Sequence, residues 1–410
     1  KKKGQRRTSE KPPPAVNVAM WRMEQLLEAE ITTLSMRAPQ ELTLPGTMSL
    51  LMTTGRRELA QVLHEELPVS YAQRVKMLES LPDWKNNPSL ARIRQMYVTS
   101  FKELRLADPG QPSTFQDTLN QIKRRHTQTN HLVDGFRRYN EAGSLSDSEI
   151  NEWLDDFFAL RISTNMLLSR FLSLSGETVN YSSINTLNEE LDFDPEYNPY
   201  ATTIDAHCDV ARIARHAAHV TSEMSQIEYG KAPPIRVIET TSVALPLVPR
   251  YLFYILSELL KNALRATVEA QRGAWKRELP AIEVVVSGNE AACSIRISDR
   301  GGGVPVRDLG KVWSYLYSSA KPVTVPTSRV SVENPSSLRR VRSTSEGAGA
   351  AAEGQELVMR SPLAGLGCGL PLSRLYARYL GGTVDLQTLP NYGTDVFVHL
   401  RRMGPSEGPR

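Results

Sequence analysis

The 410-residue chain has only three cysteines, Cys208, Cys293 and Cys368, and they stand far apart. Paired Cys or Cys/His spacing is missing, which excludes a zinc finger or a disulfide framework and fits a reducing compartment. Long apolar runs are missing too, since no stretch reaches the roughly 18 residues that a membrane-spanning helix needs. Neither sign of charge dominates: 49 Lys and Arg stand against 45 Asp and Glu, a net +4. Spread along the chain, that balance argues against a dedicated nucleic-acid groove and leaves room for an acidic protein partner. The Lys-Ser/Thr ending of a P-loop and the strand-Gly-helix unit of a dinucleotide fold are both absent, so two common phosphate-binding designs drop out. No internal repeat is visible.

The chain does have enough apolar content, 40%, to bury more than one core, and its length suggests two or three domains. "KKKGQRRTSEKPPP" is basic and poor in acids, and residues 1–16 read as a disordered start with the composition of a transit-peptide remnant. From about 17 to 175 the 3.6-residue period persists, as in "DTLNQIKRRHTQTNHLVDGFRRYN" and "EINEWLDDFFALRISTNMLLSRFLSL", which predicts a helical bundle over 17–190. After about 205 the texture changes. "HCDVARIARHAAHVTSEM" predicts a helix, "PIRVIETTS" a strand, and "PRYLFYILSELLKNALRATVEAQ" a long helix opened by Pro249. "AIEVVVS" and "ACSIRISD", joined by "GNE", predict a hairpin; "PLSRLYARYLG" predicts a helix and "GTVDLQTLPNYGTDVFVHL" a terminal hairpin. The second domain, 191–403, is therefore expected to be α+β with a mixed sheet. Residues 321–360, rich in Ser, Pro, Gly and Ala, predict a long mobile loop, and 404–410 a disordered tail.

Three segments carry polar groups suited to chemistry. In "ELLKNALRA", Glu258, Asn262 and Arg265 recur at i, i+4 and i+7 on one helix face, while Leu259, Leu260 and Ala263 turn to the sheet. Carboxylate and amide oxygens one turn apart suit a hard cation such as magnesium, and a base one turn further can meet phosphate. "SDRGGGVP" sets Asp299 before Gly301, Gly302 and Gly303, and alone reads equally as a tight turn. "GLGCGLPLSR", 365–374, runs into a helix whose bare N-terminal amides form an anion site.

In order, spacing and wording, "ELLKNALRA", "SDRGGGVP", "PLAGLGCGLPLSRLYARY" and "YGTDVF" resemble the GHKL (Bergerat-type) ATP-binding α/β sandwich. Within that group they resemble the mitochondrial protein-kinase branch, which contains the pyruvate dehydrogenase kinases and the branched-chain 2-oxoacid dehydrogenase kinase. Weaker matches, "EELPVSYAQRVKMLESLP", "LRISTNML" and "TIDAHCDV", extend the likeness over most of the chain.

The resemblance implies roles for matching residues. Asp299 would accept from the adenine amino group, with Gly301 and Gly303 letting the backbone approach the nucleotide. Asn262 would hold the magnesium, Arg265 would meet phosphate, and Glu258 would be the base or orienting group. Gly365, Leu366, Gly367, Cys368, Gly369 and Leu370 would wrap the phosphates, Thr394 would support the adenine, and Ser318 and Ser319 would lie at the lid entrance. His126 resembles the bundle histidine that contacts the catalytic glutamate, with His131 as the alternative.

It also implies ATP and Mg2+ as cofactors, a homodimer in the mitochondrial matrix, docking of the bundle to the lipoyl domain of E2, and serine phosphorylation that inactivates an E1 component. "SYLYSSA" and "PLAGLGCGLPLSRLYARY" are closer to the pyruvate dehydrogenase kinases, and "GGTVDLQTLPNYGTDVFVHL" to the branched-chain enzyme. Family members bind small carboxylates with arginines in the bundle; Arg161 matches one, but Asn165 replaces the second, so weak inhibition by dichloroacetate or pyruvate is expected. "RRMGPSEGPR" has no aromatic anchor, which leads to the expectation that lipoyl-domain docking rests on the bundle. Sensor histidine kinases share the nucleotide fold but need a phosphoacceptor histidine followed by an acidic residue, whereas His126 is followed by Thr127 and Gln128. The chaperone and topoisomerase ATPases need a further coupling domain, and a non-catalytic relative would keep binding alone.

Overall fold

The computed structural model describes residues 15–37, 55–126, 130–174, 201, 203–271, 278–317 and 367–402. The stretch 321–360, the tail 404–410, the boundary expected near 190, and Ser318, Ser319, Gly365 and Leu366 lie outside the described residues.

The first half is helical: α1 (Ala15–Ser35), α2 (Arg56–Glu79), α3 (Pro88–Leu106), α4 (Pro112–Arg125), α5 (Asn130–Ala142) and α6 (Asp147–Leu174). Local chemistry sets several of their ends. Pro88 and Pro112 open α3 and α4, where the missing N–H would have had no partner. Asn87 caps α3 by accepting from Leu90 N–H. The single helical period read through 117–140 resolves into two helices, because α4 ends at His126. The bundle buries Leu63, Tyr71, Tyr97, Phe101, Phe115, Phe136 and Phe157, and each such side chain contributes about 1.5–3 kcal/mol when fully removed from water.

The second half contains β1 (Asp205–Asp209), α7 (Val210–Tyr229), β2 (Ile235–Glu239), β3 (Ala244–Leu247), α8 (Pro249–Ala270), β4 (Ile282–Gly288), β5 (Ala292–Ser298), α9 (Gly369–Tyr379), β6 (Thr383–Leu389) and β7 (Gly393–Arg401). Five strands form one sheet in the order β2-β4-β5-β7-β6, with β2 parallel to β4 and the other pairs antiparallel. This is the expected mixed sheet. Alternate residues Ile282, Val284 and Val286 on β4 and Cys293, Ile295 and Ile297 on β5 are buried, the period-2 pattern of a sheet with one covered face. Helices α7, α8 and α9 pack together, and residues of the helices, the sheet and the bundle join in one continuous hydrophobic core.

One element corrects the sequence reading. "HCD" is not the start of a helix: His207, Cys208 and Asp209 belong to β1, which pairs antiparallel with β3. The helix starts at Val210 because the Asp209 carboxylate accepts from Arg212 N–H, 2.9 Å away, and caps it. Among the described residues no helix is long and apolar enough to cross a membrane.

The bundle encloses a cation. Arg74 is 1% exposed; its Nη2 donates to Thr164 Oγ1 at 2.6 Å and its guanidinium lies over the rings of Tyr71 and Tyr97. No carboxylate pairs with it among the described residues, and burial lowers its pKa. Desolvating an unpaired cation costs more than ring contacts return. Arg74→Met, similar in volume and uncharged, should therefore stabilise the nucleotide-free protein by about 1–3 kcal/mol, read as a rise in the urea midpoint; a fall would show that the guanidinium holds the bundle together.

Candidate nucleotide and phosphotransfer site

Helix α8 brings the first group of residues. Its apolar positions Leu259, Leu260 and Ala263 are buried, as the helical period predicts, and Glu258 is buried with them at 6% exposure. A carboxylate in that position needs partners. Lys261, one turn on, pairs with Glu258 Oε1, a contact that the sequence reading passed over although i, i+3 spacing permits it. Glu258 Oε2 faces the start of α9: a Cβ on Gly369 would stand 2.5 Å from that oxygen. Gly369 is thus small because the carboxylate is there. Asn262 is one turn beyond Glu258 and half-buried. Arg265 lies within electrostatic reach of Tyr229 at the end of α7.

The second group stands where β5 leaves the sheet. Asp299 is 7% exposed, its Oδ1 accepts from Gly301 N–H at 2.7 Å, and its own N–H donates to Thr394 O at 2.9 Å. Burial, opposed by the backbone donors of Gly301 and Thr394, pushes its pKa up to about 6. Thr394 is buried beside it with Oγ1 3.2 Å from Thr388 Oγ1. Arg300 lies over the Tyr392 ring, 4.1 Å from its centroid.

The glycines owe their size to the protein itself. A Cβ on Gly301 would meet Ala266 of α8 at 2.5 Å, and one on Gly303, where φ is +71°, would meet Leu389 O at 2.4 Å. Close packing of the loop on α8 and β6 therefore demands both, and only Gly302 (φ +84°) has open space where a Cβ would be. This packing is a reason for Gly301 and Gly303 in addition to the expected approach of a nucleotide.

The third group is the turn into α9. Gly367 has φ +79°, and a Cβ there would meet Tyr317 O at 2.5 Å. Cys368 is fully buried, and Gly369 and Leu370 form the first turn of α9 with Pro371 following. The N–H groups of that first turn have no partner within the helix, which suits an anion.

His126 belongs elsewhere. Its ring packs against Tyr71 and Tyr97, its Nε2 lies 3.0 Å from Ser100 Oγ, and Arg161 Nη2 donates to its carbonyl at 2.9 Å. Burial, with Arg74, Arg161 and Arg125 around it, holds its pKa well below the usual histidine range, so it is neutral at pH 7. The expected contact between His126 and Glu258 is replaced by this enclosure in the bundle core. The side chain of His131 lies outside the described residues.

The raised pKa of Asp299 has a definite sign. A carboxyl whose folded pKa exceeds its unfolded value of about 3.9 favours the fold when protonated, so its contribution falls as pH rises from about 4 through about 6. At pH 7 the penalty is fully present, about 3 kcal/mol at most. Asp299→Asn should raise the melting temperature of the nucleotide-free protein at pH 7 and leave it nearly unchanged at pH 4. It should also weaken ATP on the order of tenfold, since a neutral acceptor replaces a charged one; thermal melts at both pH values with and without ATP check both signs.

Comparison with known proteins agrees with the division into a helical half and a mixed-sheet half. Residues 42–197 match the family model described as mitochondrial branched-chain alpha-ketoacid dehydrogenase kinase. Residues 248–403 match the histidine kinase-, DNA gyrase B- and HSP90-like ATPase. The chain is 31% identical over 359 residues to the mouse mitochondrial [pyruvate dehydrogenase (acetyl-transferring)] kinase isozyme 3, covering 83% of this chain and 75% of that one. It is 30% identical to the human isozyme 4 over 358 residues, 83% and 76% of the two chains. With the mitochondrial kinase of Arabidopsis thaliana the identity is 29% over 360 residues, 85% and 86% of the two chains. With a GHKL-type ATPase half behind a helical half, the chain belongs to the family of mitochondrial protein kinases that contains these enzymes.

Proposed function

We propose that this protein is a serine kinase of the mitochondrial matrix that phosphorylates and inactivates the E1 component of a 2-oxoacid dehydrogenase complex, pyruvate dehydrogenase foremost. The observation that carries this is Glu258, a buried carboxylate whose Oε2 faces Gly369 in the first turn of α9, in a chain similar to pyruvate dehydrogenase kinases over more than four-fifths of its length. The branched-chain dehydrogenase is the second reading, favoured by the description of the family model that matches the helical half.

The residues present fit a magnesium nucleotide. Asp299 offers a buried acceptor beside the open space at Gly302, and the first turn of α9 offers N–H donors next to Glu258. Asn262 would hold the metal. Bound magnesium-ATP supplies the phosphoryl group and the charge that neutralises it during transfer. The chain's own work is positioning: Glu258 orients the substrate hydroxyl and takes its proton at Oε2, while Lys261 occupies Oε1 and fixes the rotamer. A homodimer, and docking of the bundle to the lipoyl domain of E2, complete the reading.

Glu258→Gln should lower kcat by about 10²–10⁴-fold with ATP affinity nearly intact, because the amide keeps the shape and loses the basicity. Asn262→Ala should instead lose magnesium-dependent ATP affinity. Phosphate transfer to purified pyruvate and branched-chain E1 offered together decides the substrate, and full activity of Glu258→Gln would end the assignment of the base.

Regulation by a small carboxylate belongs to the same proposal. Arg161 lies with Arg74 and His126 inside the bundle, and Asn165 leaves the family's second arginine position without a charge. One charge-assisted hydrogen bond fewer costs about 1.5–3 kcal/mol, or roughly ten- to hundredfold in affinity. Inhibition by dichloroacetate or pyruvate should be weak, stronger in Asn165→Arg and weaker still in Arg74→Met; strong inhibition of the unaltered enzyme would refute it.

A further inference from the structure

One face of α6 grips both sides of the nucleotide site. Asn151, Asp155 and Phe158 recur at i, i+4 and i+7, and all three meet the short segment that precedes residue 318. Asn151 Oδ1 accepts from Tyr315 N–H at 2.8 Å, and its Nδ2 donates to Ser314 Oγ at 3.2 Å. Asp155 Oδ1 accepts from Tyr315 O–H at 2.8 Å, and the Phe158 and Tyr315 rings lie 5.8 Å apart. The other oxygen of Asp155 reaches α9: Oδ2 accepts from Arg378 Nη2 at 2.6 Å. One carboxylate thus ties the segment 313–317 to α9. One turn before Arg378, Arg374 lies over the Trp313 ring, 5.1 Å from its centroid, a second tie between the same two pieces.

The grip continues to the phosphotransfer group. Leu316, at φ +67°, and Tyr317 lie so close to Gly367 that only glycine fits there. The Leu316 N–H donates to the Cys368 sulfur, and Gly369, next along, touches the Glu258 carboxylate. Contact therefore runs without a gap from Asp155 through Tyr315, Leu316, Gly367 and Gly369 to Glu258.

We propose that Asp155, with Tyr315 and Arg378 as its two ligands, is a positioning residue through which the helical bundle sets the seat of residues 367–369, and hence the binding of the nucleotide's phosphates. The inference rests on the reading of the α9 start as the phosphate site. The Asp155–Arg378 pair is itself half in solvent, so it adds little to stability; its effect is on where the turn sits. Tyr315, by contrast, is buried at 5% exposure and its hydroxyl is spent on Asp155, which makes the bond specific.

The test compares adenosine with magnesium-ATP, because adenosine needs the Asp299 end alone whereas the triphosphate needs the α9 start as well. Tyr315→Phe keeps the ring on Phe158 and removes one oxygen; Asp155→Asn keeps the size and removes the charge. Each should leave adenosine affinity unchanged and shrink the gain in affinity from adenosine to ATP by about tenfold, the loss expected for one charge-assisted bond. The double variant should equal Asp155→Asn, since altering the carboxylate already disturbs the bond that Tyr315→Phe removes, and Asp155→Glu should restore part of the gain. A fall in melting temperature with the adenosine-to-ATP gain intact would overturn the proposal. If the unaltered protein itself shows no gain on adding the triphosphate, the phosphate-site reading fails instead, so the two failures are told apart.

Discussion

A carboxylate placed inside a helix that is otherwise packed on every side constrains much of this molecule. Glu258 is carried by α8, whose residues from Tyr251 to Leu260 are all buried, and an anion in such surroundings survives only with a cation and donors arranged around it. Lys261 supplies the cation from the same helix. The remaining oxygen faces the first turn of α9, and α9 can come that close because position 369 has no side chain. The approach of α9 in turn fixes Gly367 against Tyr317 and so brings together the two ends of a stretch of nearly fifty residues, 318–366.

The helical half and the ATPase half share a continuous core rather than a wet interface. Tyr251 on α8 donates its hydroxyl to Ile162 O on α6 at 3.3 Å, a few turns along from Asp155. Helix α6 is consequently a structural member of both halves: Phe157 packs against Tyr97 and Trp153 in the bundle, Met166 Sδ lies 3.8 Å from Tyr379 Oη of α9, and Asn151 and Asp155 hold the segment before residue 318. A rigid element common to two sites can carry coupling between them, because displacement of one end must move the contacts at the other.

The bundle stores charge at a cost. Arg74 is buried with no acid paired to it among the described residues, and Arg161 and a neutral His126 lie in its field, whereas Arg125 is neutralised by Glu103 at 2.7 Å. Evolution toward stability alone would have replaced Arg74 by an apolar side chain. Like the raised pKa of Asp299, Arg74 marks a place where the fold carries an unfavourable term.

The helical periods, the alternation in β4 and β5 and the ordered glycine motifs determined the two-part plan and the mixed sheet and singled out Glu258, Asn262, Asp299 and Thr394, because each of those features is written within a turn or two of the residue concerned. What lies across the fold was not legible. β1 and β3 are too short to show a period, and they exist because they pair with each other across the whole of α7. The chain alone presented His126 as a partner for Glu258, but three aromatic and hydroxyl neighbours from α2 and α3 enclose it. The packing of Ala266 and Leu389 against Gly301 and Gly303 has no local signature, and nothing near Asn151 and Asp155 in the chain announces Tyr315, some 160 residues away. Periodicity states which face of an element is buried; only the tertiary structure decides what it is buried against, because that depends on contacts whose partners share no local sequence.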